Sequence, residues 1–174
     1  NFLQFALSDQ SNLVNAITYQ FLHGGWVHLI GNMLYLWVFG RTIEDHVGSF
    51  KFLLLFLVSG IIGGFAQVLL FTSATPIIGA SASIAGIMGA YAVWFNRAQI
   101  KAILPIFIFW TTITLPVLLT LGLWFVTNLF NGYASIISQG SGNVAYISHI
   151  AGFGFGLLIA MLLPLKNQPI YINP

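Results

Sequence analysis

Five long apolar stretches, at 25–42, 50–71, 79–96, 113–130 and 144–164, constrain this chain more than any other feature of its sequence. A helix needs about 20 apolar residues to cross the hydrocarbon of a bilayer, and each stretch is close to that length. Lipid offers no hydrogen bonds to the backbone, so only helices and closed barrels span it. The remaining sequence cannot clothe a water-facing surface. Only 5% of the residues are charged and 58% are hydrophobic, against about 25% charged in soluble domains. The sequence therefore predicts an all-α polytopic membrane protein with five spans and the lipid bilayer as its solvent. Its 174 residues suit one domain. The first stretch is the least apolar and is expected to be partly wet. The run 102–130 is long for one span and is interrupted by Pro105, Pro116 and the threonines 111, 112 and 114. We read 102–112 as interfacial or re-entrant, with a helix starting near Pro116, because proline is tolerated in a first turn. One long tilted helix is the alternative.

Charge placement predicts an orientation. Arg41 and Lys51 follow the first stretch, Arg97 and Lys101 follow the third, and Lys166 follows the fifth. The opposite segments, 1–24, 72–78 and 131–143, carry no Lys or Arg. Basic loops stay in the cytoplasm, so the chain is expected to start outside and end inside. The expected division is an outer segment at 1–20, a transmembrane domain at 21–165 and a cytoplasmic tail at 166–174, in a plasma membrane of bacterial type. The start has no basic n-region and is not read as a signal peptide. Asn1 is no initiator, and the chain reads as a piece of a longer protein. Five basic residues and a net charge of +2 are too little for a phosphate-binding stripe, so nucleic acid is not expected as a partner. Without cysteine there is neither a disulfide framework nor a thiolate metal site, and no cofactor is expected. Small residues recur at four-residue steps: Gly60 and Gly64, Gly152 and Gly156, and Ser81, Ala85 and Gly89. Such stripes let helices approach closely in lipid.

Polar groups inside a membrane are costly, and each one asks for a reason. His28 and Asn32 share a helix face in the first stretch, Ser81 opens the third, and His149 lies one to two turns into the fifth. All three stretches begin on the outer side. At 1.5 Å per residue the four groups fall at a similar depth, within roughly 10 Å of the outer boundary. If the small-residue stripes of the third and fifth stretches pack together, His149 reaches the Ser81 hydroxyl. A serine beside a histidine is the smallest activated nucleophile for acyl transfer. The acids are only Asp9, Glu44 and Asp45. The last two are on the cytoplasmic side and Asp9 is in the N-terminal segment, so a Ser–His dyad is expected. Asn32, a His28 ring N–H and the Ser81 backbone N–H are the candidate donors to an oxyanion.

Three segments carry a resemblance to the rhomboid family of intramembrane serine proteases. FLHGGWVHLIGNMLYLWVFG at 21–40 resembles its HxxxN helix, GASASIAGIMGAY at 79–91 its nucleophile helix, and NVAYISHIAGFGFG at 143–156 its histidine helix. RTIEDHVGSFKFLLLF and LPVLLTLGLWFVTNLFNG look like the segments between them. The resemblance implies a six-helix core whose first helix is missing from this chain. It implies a nucleophile at Ser81, a base at His149 and an oxyanion site with His28 and Asn32. It also implies cleavage of transmembrane protein substrates near the outer face, without metal or cofactor. Ala82 stands where the family usually has glycine, Ser148 where it has alanine, and Ala151 where it has glycine. A methyl on Ala82 is expected beside the oxyanion, so Ala82→Gly is expected to raise kcat or leave it unchanged. The second reading is a rhomboid-like protein without activity that binds membrane clients.

Plainer readings stand beside these. Ser81 can be a packing serine, His149 a structural histidine, and His28 and Asn32 partners of their helix neighbours. Gly60 and Gly64 read as ordinary bundle packing, His23 and His46 as solvated, and Glu44 with Arg41 as an ion pair. Ser83 points elsewhere on the helix than Ser81. A transporter would spread its polar groups through the midplane and show an internal repeat, and no repeat is visible. A metal held by His28 and His149 would lack further ligands.

Overall fold

The computed structural model describes residues 2–8, 12, 14–71, 76–106, 109–138 and 144–165. Asp9, Lys166 and the tail at 166–174 lie outside the described residues, as do parts of the loops at 72–78 and 131–143. Every predicted helical stretch is a helix, with shifted ends. A short α1, Asn15–Thr18, is followed by α2, Trp26–Tyr35. A π-helical turn at Leu36–Gly40 carries α2 on into α3, Arg41–Val47. Gly48, with φ of 82°, ends α3 in a conformation that favours glycine. Then come α4, Ser49–Leu70, and α5, Ser81–Trp94, followed by α6, Val117–Ile137, and α7, Tyr146–Leu162. By length and composition α4 and α6 can each cross a membrane, while α5 and α7 are shorter apolar helices.

The chain is not all-α. Between α5 and α6 lies an antiparallel hairpin of β1, Gln99–Ile106, and β2, Phe109–Pro116, paired from Gln99↔Pro116 to Ile106↔Phe109. It rules out the single long helix, gives the segment read as interfacial or re-entrant the form of paired strands, and moves the start of the fourth stretch from 113 to Val117. The reason is chemical. Ile, Thr, Phe and Trp favour strands, and Pro105 would break a helix interior. Pairing the two strands satisfies backbone groups that would otherwise be left without partners.

The core sits around α5, with ten of its 14 residues buried. Small residues let α7 lie almost backbone to backbone against it. A Cβ on Gly152 would strike the Ala82 carbonyl, one on Gly156 the Gly86 carbonyl, and one on Gly89 the Phe153 carbonyl. The contact ridge on α5 is thus Ala82, Gly86 and Gly89: Gly89 is as expected, while Ala82 and Gly86 each lie one position on from the expected Ser81 and Ala85. On α4, Gly63 faces the Ser148 carbonyl and the Ala82 methyl, Gly60 faces Ser83 and Gln20, and Gly64 faces Leu7 and Tyr19. Ser83 is buried and donates to Gln20 Oε1 at 2.8 Å. The N-terminal segment packs into this end of the bundle, where Leu7, Ala16 and Tyr19 form a cluster with Ile61, Phe65, Val68 and Ile77.

Connectivity sorts the two ends. The N-termini of α2, α5 and α7 share one end. The hairpin base, where Val117 N–H donates to Ala98 O at 2.9 Å, is at the other. There Trp94 Nε1 donates to Ala160 O at 3.1 Å. Arg41, Lys51, Arg97 and Lys101 all lie in segments at that second end. His46, expected to be solvated, is half-buried: its Nδ1 is 2.8 Å from Thr42 O and its ring meets Phe95 edge-on at 4.7 Å. Arg41 and Glu44 form no ion pair among the described residues. They line a shallow groove with Met33 and Phe52 instead.

Candidate active site

Ser81 is the first residue of α5, and Gly79 sets up that start with a φ of 119°. The conformation suits glycine. A side chain there would also press on the His28 ring, because a Cβ would lie 2.8 Å from Cε1 and Nε2. Gly79 N–H donates to Tyr19 O at 2.9 Å, tying this turn to the N-terminal segment. As first residue of a helix, Ser81 has a backbone N–H with no acceptor inside the helix.

His149 is the fourth residue of α7. The close packing of α7 on α5 brings its Nε2 to 2.8 Å from Ser81 Oγ. On the other side of the ring, Nδ1 is 2.9 Å from Asn128 Oδ1 on α6. Asn128 is 6% exposed, and its Nδ2 donates to Trp124 O at 2.8 Å. The Trp124 ring flanks His149 at 6.0 Å and 31°, and the Tyr146 ring meets it edge-on at 6.3 Å. Asn128 did not emerge from the sequence reading, which looked for an acid to complete the pair. Its one signal was an amide in the interior of an apolar stretch.

A cavity of about 590 Å³ opens beside this pair, lined among others by His28, Asn32, Ser81 and His149. Asn32 is 8% exposed, and its Nδ2 is buried without a hydrogen-bond partner. A buried amide N–H left unpaired costs about 1–3 kcal/mol and so marks a place where an oxygen would be welcome. His28 lies on the same face, with Nδ1 at the long distance of 3.5 Å from Gly24 N–H. The four residues read from the sequence thus border one cavity. His23 is not the solvated residue expected. It meets His28 edge-on at 5.1 Å, and its Nε2 is buried without a partner. Burial first, and then the neighbouring His28, hold the His23 imidazole below its usual range.

Ala82 corrects a second expectation. It is 1% exposed, is not among the residues lining the cavity, and has its methyl towards Gly63. Ser148 does border the cavity, but its hydroxyl is occupied, donating to Ala145 O at 2.6 Å. Its N–H donates to Gln67 Oε1 at 3.2 Å. Among the described residues no group of three or more His, Asp or Glu side chains can hold a metal.

Fold and site together define an apolar helical bundle with a serine–histidine pair, of the kind that serves acyl transfer, set at its helix ends. Residues 10–166 match the rhomboid domain, and the chain belongs to the rhomboid family. Members of that family are integral membrane proteins, and the apolar helices fit that setting. The chain is 34% identical over 154 residues to RHOMBOID-like protein 4 of Arabidopsis thaliana, covering 87% of this chain and 34% of that one. It is 34% identical over 148 residues to rhomboid protease GluP of Bacillus subtilis, covering 82% and 28%. It is 30% identical over 146 residues to rhomboid protease GlpG of Serratia proteamaculans, covering 83% and 46%. The chain therefore spans less than half the length of each of these three relatives.

Proposed function

We propose that this chain is an intramembrane serine endopeptidase that cleaves transmembrane protein substrates near the outer face of the membrane. The observation that carries the reading is the 2.8 Å contact of Ser81 Oγ with His149 Nε2 at the edge of the cavity. The relatives named as rhomboid proteases support it. Ser81 Oγ attacks the carbonyl carbon of the scissile peptide while its proton passes to His149 Nε2. The carbonyl oxygen takes the electron pair, and Asn32 Nδ2, His28 and the Ser81 N–H are the groups available to stabilise it. As the C–N bond breaks, His149 returns the proton to the leaving amine, and the acyl group stays on Ser81. Water then attacks that acyl group, again giving its proton to His149, and Ser81 leaves with it as the carboxylic product forms.

Five spans, an outer N-terminus and a cytoplasmic C-terminus complete the proposal, in a plasma membrane of bacterial type. In its support, Ser81, His28 and His149 lie near the starts of three helices at one end of the bundle, and the four described basic residues lie in segments at the other. The test is labelling by a fluorophosphonate probe in detergent, together with cleavage of a transmembrane reporter. The wild type is expected to label and cleave, and Ser81→Ala and His149→Ala to lose cleavage while staying folded. Cleavage retained by Ser81→Ala would defeat the serine mechanism. A rhomboid-like protein that binds membrane clients without cutting them is the second reading. It rests on two departures, the Ala82 methyl, which faces Gly63, and the Ala151 methyl. Failure of the wild type to label would favour it.

A further inference from the structure

Deepening the proposed function, on which it rests, we propose that Asn128 is a positioning residue that holds His149 in the tautomer able to take the Ser81 proton. The inference follows from one chain of hydrogen bonds. A backbone carbonyl can only accept, so the amide atom 2.8 Å from Trp124 O is the NH₂ group of Asn128. That choice turns the amide oxygen towards the imidazole, 2.9 Å from Nδ1. An amide oxygen also only accepts, so Nδ1 carries the ring hydrogen. In a neutral imidazole the other nitrogen then has a free lone pair. That nitrogen is Nε2, and it faces Ser81 Oγ at 2.8 Å. A fixed carbonyl on α6 thus sets the direction of a proton on α7 and, through it, of the hydroxyl proton on α5.

The surroundings leave little competition for this role. Asn128 is 6% exposed. Ser81 on α5 and Tyr146 on its own helix face His149, His28, Tyr19 and Tyr35 line the same cavity, and among the described residues no Asp, Glu, Lys or Arg lines it. Without Asn128, nothing described at Nδ1 would favour one tautomer over the other. The form with hydrogen on Nε2 would donate to Ser81 and could not receive its proton. Wrong-tautomer variants of serine proteases lose about 10⁴ in kcat. A residue that only biases the tautomer is expected to matter less, roughly 10–100-fold, as for groups that orient metal-bound histidines.

The test uses the chain in detergent, ¹⁵N-labelled at histidine, with the His149 resonances assigned by comparison with His149→Ala. In the wild type the ring is expected to show protonated Nδ1 and bare Nε2. Asn128→Leu, of similar volume and suited to an apolar helix, is expected to lose that pattern. Its kcat on a transmembrane reporter should fall roughly 10–100-fold with KM within about twofold, as a loss of base rather than of binding. Asn128→Asp keeps an acceptor at the same place and is expected to retain the Nδ1–H form and recover most of the loss. A purely structural role would leave the tautomer unchanged and would not be rescued. An unaltered His149 pattern in Asn128→Leu overturns the inference, as does unaltered kcat. The ring pattern is read without any turnover. A chain that never cleaves but shows the tautomer shift defeats the proposed function and leaves the positioning role standing.

Discussion

Asn32 and Ala82 separate two kinds of residue that look alike in a motif. Asn32 presents a buried, unpartnered N–H at the cavity, which under the proposed mechanism would meet the developing oxyanion. Asn32→Ala is expected to lower kcat by about 10²–10³, as removal of one oxyanion donor does, with little change in thermal stability. Ala82 is spent on packing. Ala82→Gly is expected to leave kcat within about twofold of wild type. It should cost about 1–2 kcal/mol of stability, from helix propensity and the lost contact with Gly63. Parallel rates and melting curves for the two variants check both statements. A large rate gain in Ala82→Gly would return the methyl to the oxyanion position. His149 and Ser81 were legible in the sequence because each is a polar residue near the start of an apolar stretch, set in a segment that resembles a known motif. Asn128 was not, because linear spacing does not say which face of α6 meets α7. The partial burial of His46 was not legible for the same reason, its edge-on partner Phe95 being 49 residues away in the sequence.

At the scale of elements, the register of α5 on α7 decides whether a site exists. Gly156 faces the Gly86 carbonyl, whereas a Cβ on Gly154 of the same helix would meet nothing within 4 Å. The two make a matched pair. Gly156→Ala forces two backbones apart and is expected to cost about 1–3 kcal/mol, with loss of cleavage as His149 moves from Ser81. Gly154→Ala is expected to be neutral or mildly stabilising, since alanine is the better helix former by about 0.8–1.0 kcal/mol. Thermal unfolding in detergent measures the difference, and equal effects at both positions would contradict the packing described. The five helical stretches were readable because apolar runs of that length have few other solutions. The hairpin was not, because 99–116 is apolar as well, and only its prolines and β-branched residues hinted at strands.

For the whole molecule, the orientation proposed from charge agrees with the way the helices alternate, since the described basic residues and the Ser81 cavity belong to opposite ends. A reporter fused after Lys166 is expected to read cytoplasmic and one inserted within 131–143 to read outside. The reverse pattern would remove the basis for cleavage at the outer face.

The sequence by itself determined that this chain is mostly apolar and helical, and it singled out the histidines, serine and asparagine that border one cavity, His28, His149, Ser81 and Asn32. Those features are local: run length, composition and the spacing of a few polar groups. Only the tertiary structure decided that 99–116 folds back as strands, that the α5 ridge runs through Gly86, that Ala82 serves packing, and that Asn128 reaches the far side of His149. These depend on which faces of distant helices meet. That is settled by how closely small residues let backbones approach and by where buried hydrogen bonds find partners, neither of which is written in the spacing along one helix.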